Sequence, residues 1–196
     1  MEPSLPKKGE SKREDLVKAA KELLWERGYE AMSPRDVIDK SGAGQGSFYH
    51  HFAGKLELAS YALEEVADEE IRSAEAIFSA PQEPLTRIRN YLNRDRQALK
   101  GCRLGRLANE SAIEIEQFST PIAKYLERVV ELIESCFTEA KITGKINSDI
   151  DTKLLANTIV AIIQGGYVLS RVHHDPKRMQ TAIGGAHQLL NSICTK

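Results

Sequence analysis

Apolar residues along this chain recur every three to four positions and almost never every second one. That period admits amphipathic helices and argues against half-buried strands, so the expected fold class is all-α with no sheet. Ser11 to Arg27 carries Leu16, Ala19, Ala20, Leu23 and Leu24 on one helical face, and Gly28 suits the position after its end. Ser33-Pro34-Arg35-Asp36 then combines an N-cap serine, a proline in the first turn and an acid three residues on, a strong helix start. This second helix is short and stops near Ser41-Gly42. A third runs from roughly Gly44 to Phe52, and Gly54 punctuates it. A long helix is expected from about Lys55 to Ser79, with Leu58, Ala62, Val66 and Ala74 inward and Ala80-Pro81 closing it.

The remainder reads as helical too. Helices are expected over Pro84–Lys100, over Leu107–Ile115 after the interruption Gly101-Cys102-Arg103-Leu104-Gly105, and from Thr120-Pro121 to about Ala140. The last two are expected from Asp151 through His173 and from Pro176 to about Ile193. The total is about nine. No apolar run approaches the roughly 18 residues that span a bilayer, so no membrane partner is expected. Met1–Ser11 is polar, lacks the apolar core of a signal peptide and reads as a disordered arm, which makes the cytoplasm the expected location.

Three cysteines at wide spacing, Cys102, Cys136 and Cys194, fit neither a disulfide framework nor a zinc knuckle. Cys136 and Cys194 fall on helical apolar faces and are expected in the core. His173-His174-Asp175 reads as a helix end followed by a helix start, since adjacent helical residues do not face one another; no metal and no cofactor are expected. The chain has no G-x-S-x-G, no phosphate loop and no H-E-x-x-H. Its GAGQG at 42–46 follows a helix rather than a strand, so no enzymatic activity is expected.

Two short helices joined by a glycine-containing turn, residues 31–58, form the pattern of a helix-turn-helix. Val37, Ile38, Phe48 and Phe52, with Leu23 and Leu24, supply a small three-helix core. The second short helix is left with Gln45, Ser47, Tyr49, His50 and His51 outward, and Gly46 lets the backbone come close to a partner. Glutamine can read adenine bidentately in a major groove, and hydroxyls reach bases or phosphates. The net charge of −1, and ten Lys/Arg against ten Asp/Glu over residues 1–60, offer no overall basic character. Any basic face must come from local segregation of charge.

At Phe48-Tyr49-His50-His51-Phe52, followed by Lys55, the stretch from about Leu16 to Leu58 resembles the N-terminal pattern of TetR/AcrR transcriptional regulators. It departs from that pattern at Ala43 and at Gly44, which stands where a capping serine or threonine is usual. The resemblance implies an N-terminal helix-turn-helix domain, residues 1–53, and a C-terminal helical effector and dimerisation domain, residues 54–196. It implies that double-stranded operator DNA meets Ser33, Gln45, Ser47, Tyr49, His50, His51 and Lys55, and Arg35 and Gly46 are expected to join this DNA-facing set. It further implies a palindromic operator, a homodimer built on the last two helices, and release by a small-molecule effector.

Gly101-Cys102-Arg103-Leu104-Gly105-Arg106-Leu107 resembles the Gly-Cys-x-x-Gly-x-Leu segment of one TetR subgroup, where it edges the effector pocket. With the remaining aromatics this suggests an effector site near Cys102, Leu104, Phe118, Tyr125, Phe137 and Tyr167. Arg103 and Arg106 would favour an anionic ligand if they face it. Lys100, Arg103 and Arg106 around Cys102 leave open an alternative in which that thiol senses electrophiles or oxidants. A helical enzyme or a DNA-independent interaction module is the reading from a different class.

Overall fold

The computed structural model describes residues 8–195. Eight α-helices occur there: α1 (Lys8–Arg27), α2 (Pro34–Ser41), α3 (Gln45–His51), α4 (Lys55–Phe78), α5 (Pro84–Asn93), α6 (Glu116–Ile142), α7 (Thr152–Val172) and α8 (Lys177–Ser192). Beyond them, the only extended pairing among the described residues is an isolated antiparallel bridge between Ile146 and Cys194. The arm expected over Met1–Ser11 lies outside the described residues up to residue 7, and from Lys8 onward the chain is already helical.

Three boundaries differ from expectation. The expected helix over Pro84–Lys100 ends at Asn93, because Arg94 leaves helical geometry at ψ 148° and Arg96 turns back to donate to the carbonyls of Tyr91, Leu92 and Arg94. The expected helix at 107–115 is a pair of 3-10 turns, Gly105–Asn109 and Ser111–Glu114, broken at Glu110, so the α-helix count is eight rather than about nine. Finally, α6 begins at Glu116, before Thr120-Pro121, and carries Pro121 inside its second turn.

Capping explains the helix-turn-helix locally. Ser33 Oγ accepts from the Asp36 amide at 3.2 Å, while the Asp36 carboxylate accepts from the Ser33 amide at 2.8 Å. Gly42, at φ +65°, ends α2 in the left-handed conformation that only glycine adopts cheaply. Leu23, Leu24, Val37, Phe48 and Phe52 are buried together, as the apolar pattern predicts, while Ile38 is half-buried.

Behind this unit α4 packs on both α1 and α6, α6 also packs on α5 and α7, and α7 packs on α8. By length and composition alone α7 could cross a membrane, although Asn157, Thr158 and Gln164 interrupt its apolar run. Here it buries Leu155, Ile159, Ile163 and Tyr167 against its neighbours. Cys136 is buried on α6, where burial pushes its thiol up to about 11 and keeps it protonated at neutral pH. Cys194 departs from expectation: it lies past the end of α8, half-buried, with Sγ against the Leu190 carbonyl.

Candidate nucleic-acid interface and the cavities behind it

α3 buries Phe48 and turns its other side outward: Gln45, Gly46, Tyr49 and His50 are exposed, and Ser47 and His51 are half-buried. No carboxylate lies on this helix. Tyr49 keeps 54% of its surface exposed, a large share for an aromatic ring at a helix centre. A Cβ at Gly46 would meet nothing within 4 Å, so packing does not require glycine there. The remaining expected DNA-facing residues lie around this face with other duties. Arg35 is 91% exposed and only 3.8 Å from Asp39. The Ser33 hydroxyl is committed to the capping box. Lys55 opens α4 with its ammonium 4.1 Å from the Tyr29 ring centroid and within reach of the Glu30 carbonyl, and so ties α4 to the α1–α2 loop.

The segment Gly101–Ser111 connects the back of this unit to the larger helical body. Trp25 Nε1 donates to the Gly101 carbonyl at 3.0 Å, Arg106 donates to the Trp25 carbonyl, and the Lys100 ammonium sits 4.1 Å from the Trp25 ring centroid. The Glu110 carboxylate accepts the amides of Tyr29 and Glu30 at 3.1 and 2.7 Å. Glu30 in turn accepts from the Ser111 amide and hydroxyl, which holds its carboxyl below the usual range. Gly28 makes this approach possible: its φ of +89° would strain any other residue, and a Cβ there would collide with the Glu110 carboxylate.

Cavities flank the same segment. One of about 330 Å³ is bounded by Trp25, Ile77, Arg94, Arg96, Cys102 and Tyr167. A second, of about 260 Å³, lies on the other side of Cys102 and Tyr167, against Gly105, Arg106 and Gln164. A third, of about 440 Å³, runs from Arg94 and Arg96 to Met179, Ile183 and His187 on α8. Arg103 lines the first cavity, paired to Glu69 at 3.0 Å and Glu70 at 3.4 Å, and Arg106 lines the second.

Of the six residues expected at an effector site, Cys102 and Tyr167 line cavities, and Tyr125 stands one step behind with its hydroxyl accepting from Arg94 at 3.2 Å. Burial raises both phenols, Tyr167 to about 12. Leu104, Phe118 and Phe137 are fully buried in the core and line none of these cavities, and Phe118 stacks on Tyr29 with centroids 4.9 Å apart. The sequence reading does not place Trp25, Arg94 and Arg96 at these cavities. Their signals were a single tryptophan at the end of the first helix, and two arginines in Asn93-Arg94-Asp95-Arg96 just after an amphipathic helix.

A family model for bacterial regulatory proteins of the tetR family matches residues 16–62, and one for tetracyclin repressor-like C-terminal domains matches residues 84–185. The chain belongs to the TetR family. Its members are transcriptional regulators, not enzymes, and the helix-turn-helix over α2 and α3 is the DNA-binding element of that family. Among curated relatives, the repressor DhaR of Mycobacterium sp. strain GP1 is 26% identical over 83% of this chain and 84% of its own length. The regulator AcuR of Cereibacter sphaeroides is 24% identical over 89% of this chain and 84% of its own length. The fold is shared with the reduced form of E. coli NemR, at TM-score 0.80 and 18% identity over 94% and 98% of the two chains. A TetR-family regulator from Cytophaga hutchinsonii matches at TM-score 0.84 and 14% identity, over 98% and 100%.

Proposed function

We propose that this TetR-family regulator is a ligand-responsive repressor that binds a palindromic operator as a homodimer, with residues 1–53 on DNA and residues 54–196 pairing and sensing. The observation that carries the reading is the cavity wall beside Trp25. Residues of the sensing body, Arg94, Cys102 and Tyr167, enclose one volume together with a side chain of α1. A small molecule there touches the DNA-binding unit directly, and whatever shifts Trp25 shifts the base on which α2 and α3 stand. Ligand and operator would then be coupled reciprocally.

On the DNA side, Gln45 is assigned to base edges and Gly46 to close backbone approach. Ser47, Tyr49, His50, His51, Lys55 and Arg35 are assigned to phosphates or adjoining bases, with Ser33 holding α2 in place. One seven-residue helix offers few base contacts, which is the physical reason for a two-fold pair. The outer side of α7 supports that pairing: Leu154, Val168, Leu169 and Val172 are 67%, 54%, 48% and 68% exposed, in line with Ala161 and Gly165. An apolar strip of this length rarely faces water on a monomer. Selection of duplexes from a random pool by the purified protein tests the proposal. A recovered palindrome with half-sites about one or more helical turns apart supports it; recovery of no preferred sequence contradicts it.

A further inference from the structure

The cavity beside Trp25 has an unbalanced wall. Arg94 and Arg96 both line it, with side chains largely withdrawn from solvent. Arg94 has partners: Glu70 at 3.7 Å, the Tyr125 hydroxyl at 3.2 Å, and the face of Tyr91 with the ring centroid 4.6 Å away. Arg96 has no carboxylate within ion-pair distance among the described residues; its terminal nitrogens reach only the carbonyls of Tyr91, Leu92 and Arg94. The Nε atoms of both arginines are buried with no acceptor. Glu70 is shared between Arg94 and Arg103, and Asp95, the other carboxylate of this wall, is exposed and makes no ion pair. The wall therefore holds one buried cation more than its carboxylates neutralise. A buried charge without a counter-ion is costly, and the ordinary remedy is a partner of opposite sign.

The rest of the enclosure is mixed: Trp25, Ile77, Cys102 and the Tyr167 ring give it one apolar side, and Ser73 and Gln97 add polar groups. At about 330 Å³ the volume stands at the lower end for ligand pockets. One unpaired cation calls for a monoanion, the planar guanidinium fork suits a carboxylate, and the side formed by Trp25, Ile77, Cys102 and Tyr167 suits a short apolar body.

We infer that the effector is a small carboxylic acid with an apolar tail, its carboxylate held by Arg96 and Arg94 and its tail lying between Trp25 and Tyr167. This rests on the reading of the chain as ligand-responsive and narrows it to one chemical class. Arg96 does two things in this account. It caps the end of α5 while the cavity is empty and becomes half of an ion pair when it fills, so occupancy is felt at the turn 94–101 that leads to Gly101 and Trp25.

Trp25 is the only tryptophan of the chain, so its emission reports this cavity without a label. The probes are straight-chain monocarboxylates from acetate to octanoate and benzoate, each beside its neutral amide, titrated into the full-length protein. The expected result is saturable change in Trp25 emission with at least one carboxylate, binding about tenfold or more tighter than its amide, the difference a charge-assisted hydrogen bond supplies. Arg96→Gln should abolish that preference while leaving amide binding within about twofold, and Arg94→Gln should reduce it. Should Arg96→Gln unfold, as circular dichroism would reveal, Arg96→Lys keeps the charge without the fork and should lose part of the preference. Equal binding of acids and amides, or an acid preference untouched by substitution at both arginines, overturns the carboxylate inference. Release of selected operator DNA by neutral compounds would overturn it too, while leaving the ligand-responsive reading intact. Failure of every compound to alter either Trp25 emission or operator binding counts against both.

Discussion

Trp25 Nε1 donates to the carbonyl of Gly101 across 76 positions of sequence, at 3.0 Å, and joins the last turn of α1 to the segment that walls the cavity. The joint is local but not isolated. Arg106 returns a hydrogen bond to the Trp25 carbonyl, and the Lys100 and Arg103 cations lie over the indole. Trp25→Phe keeps most of the ring and removes the donor. It is expected to cost about 1 kcal/mol of stability and to leave operator affinity near that of the parent while weakening ligand-induced release. Thermal melting combined with operator titration in the presence and absence of an active compound measures both.

The second joint is at Gly28. Its φ of +89° disfavours any other residue, and a Cβ would also strike the Glu110 carboxylate that accepts the Tyr29 and Glu30 amides. Gly28→Ala should destabilise the protein by more than about 1 kcal/mol. Glu110→Ala in the same chain should recover only the collision and not the backbone strain. A double-mutant cycle by denaturant unfolding checks this: the two costs should fail to add, because the sites touch.

Acid should loosen the helix-turn-helix before the rest. Hydrogen bonds from the Ser33 hydroxyl and amide, and then the nearby Arg27 charge, hold the Asp36 carboxyl below its ordinary value. The contribution of that box is therefore fully present above the unfolded carboxylate value of about 3.9 and is lost as pH falls through the lower folded one. Ser33→Ala should cost about 1 kcal/mol at neutral pH and flatten this acid response. Unfolding titrations between neutral pH and pH 2 on both proteins give the comparison; an unchanged acid response in Ser33→Ala would remove the capping box from the explanation.

Cys102 borders two cavities, and its Sγ accepts the Gly105 amide at 3.3 Å. Only 6% of its surface is exposed. It serves as a wall residue rather than a nucleophile in the proposed function. Cys102→Ser should shift effector affinity modestly and leave operator release intact, and mass spectrometry after quinone or aldehyde treatment should find no adduct on Cys102. An adduct, with release lost in the serine variant, would instead establish the electrophile-sensing alternative.

The helix-turn-helix was legible because its signals are local. A serine–proline–acid start, a left-handed glycine and an aromatic run each fix a few residues and need nothing from the rest of the chain. Boundaries failed where tertiary contacts decided them. Arg96 ends α5 by binding carbonyls behind it, and the 107–115 segment has a helical pattern but forms 3-10 turns, with Arg106 just before it tied to Trp25 and Glu110 within it tied to residues 29–30. The cavity was half legible for a related reason. Aromatic character marks both core and pocket walls, so Phe118 and Phe137 read like Tyr167. Trp25 belonged to a helix assigned to the other domain, and nothing in its neighbourhood in sequence points across to Cys102.

The recognition face is tested most directly by operator binding as a function of salt. The duplex selected by the purified protein should bind two chains, and log affinity should fall linearly and steeply with log salt concentration. Tyr49→Ala should weaken binding to all duplexes alike. Lys55→Ala should do the same and reduce the slope by about one unit, with some loss of stability because Lys55 also packs on Tyr29. Gln45→Ala should cost about 1–3 kcal/mol on the selected duplex and relax preference at one base position of each half-site. Binding that ignores salt, or that survives all three substitutions at parental strength and selectivity, would contradict the assignment of α3 as the surface that reads DNA.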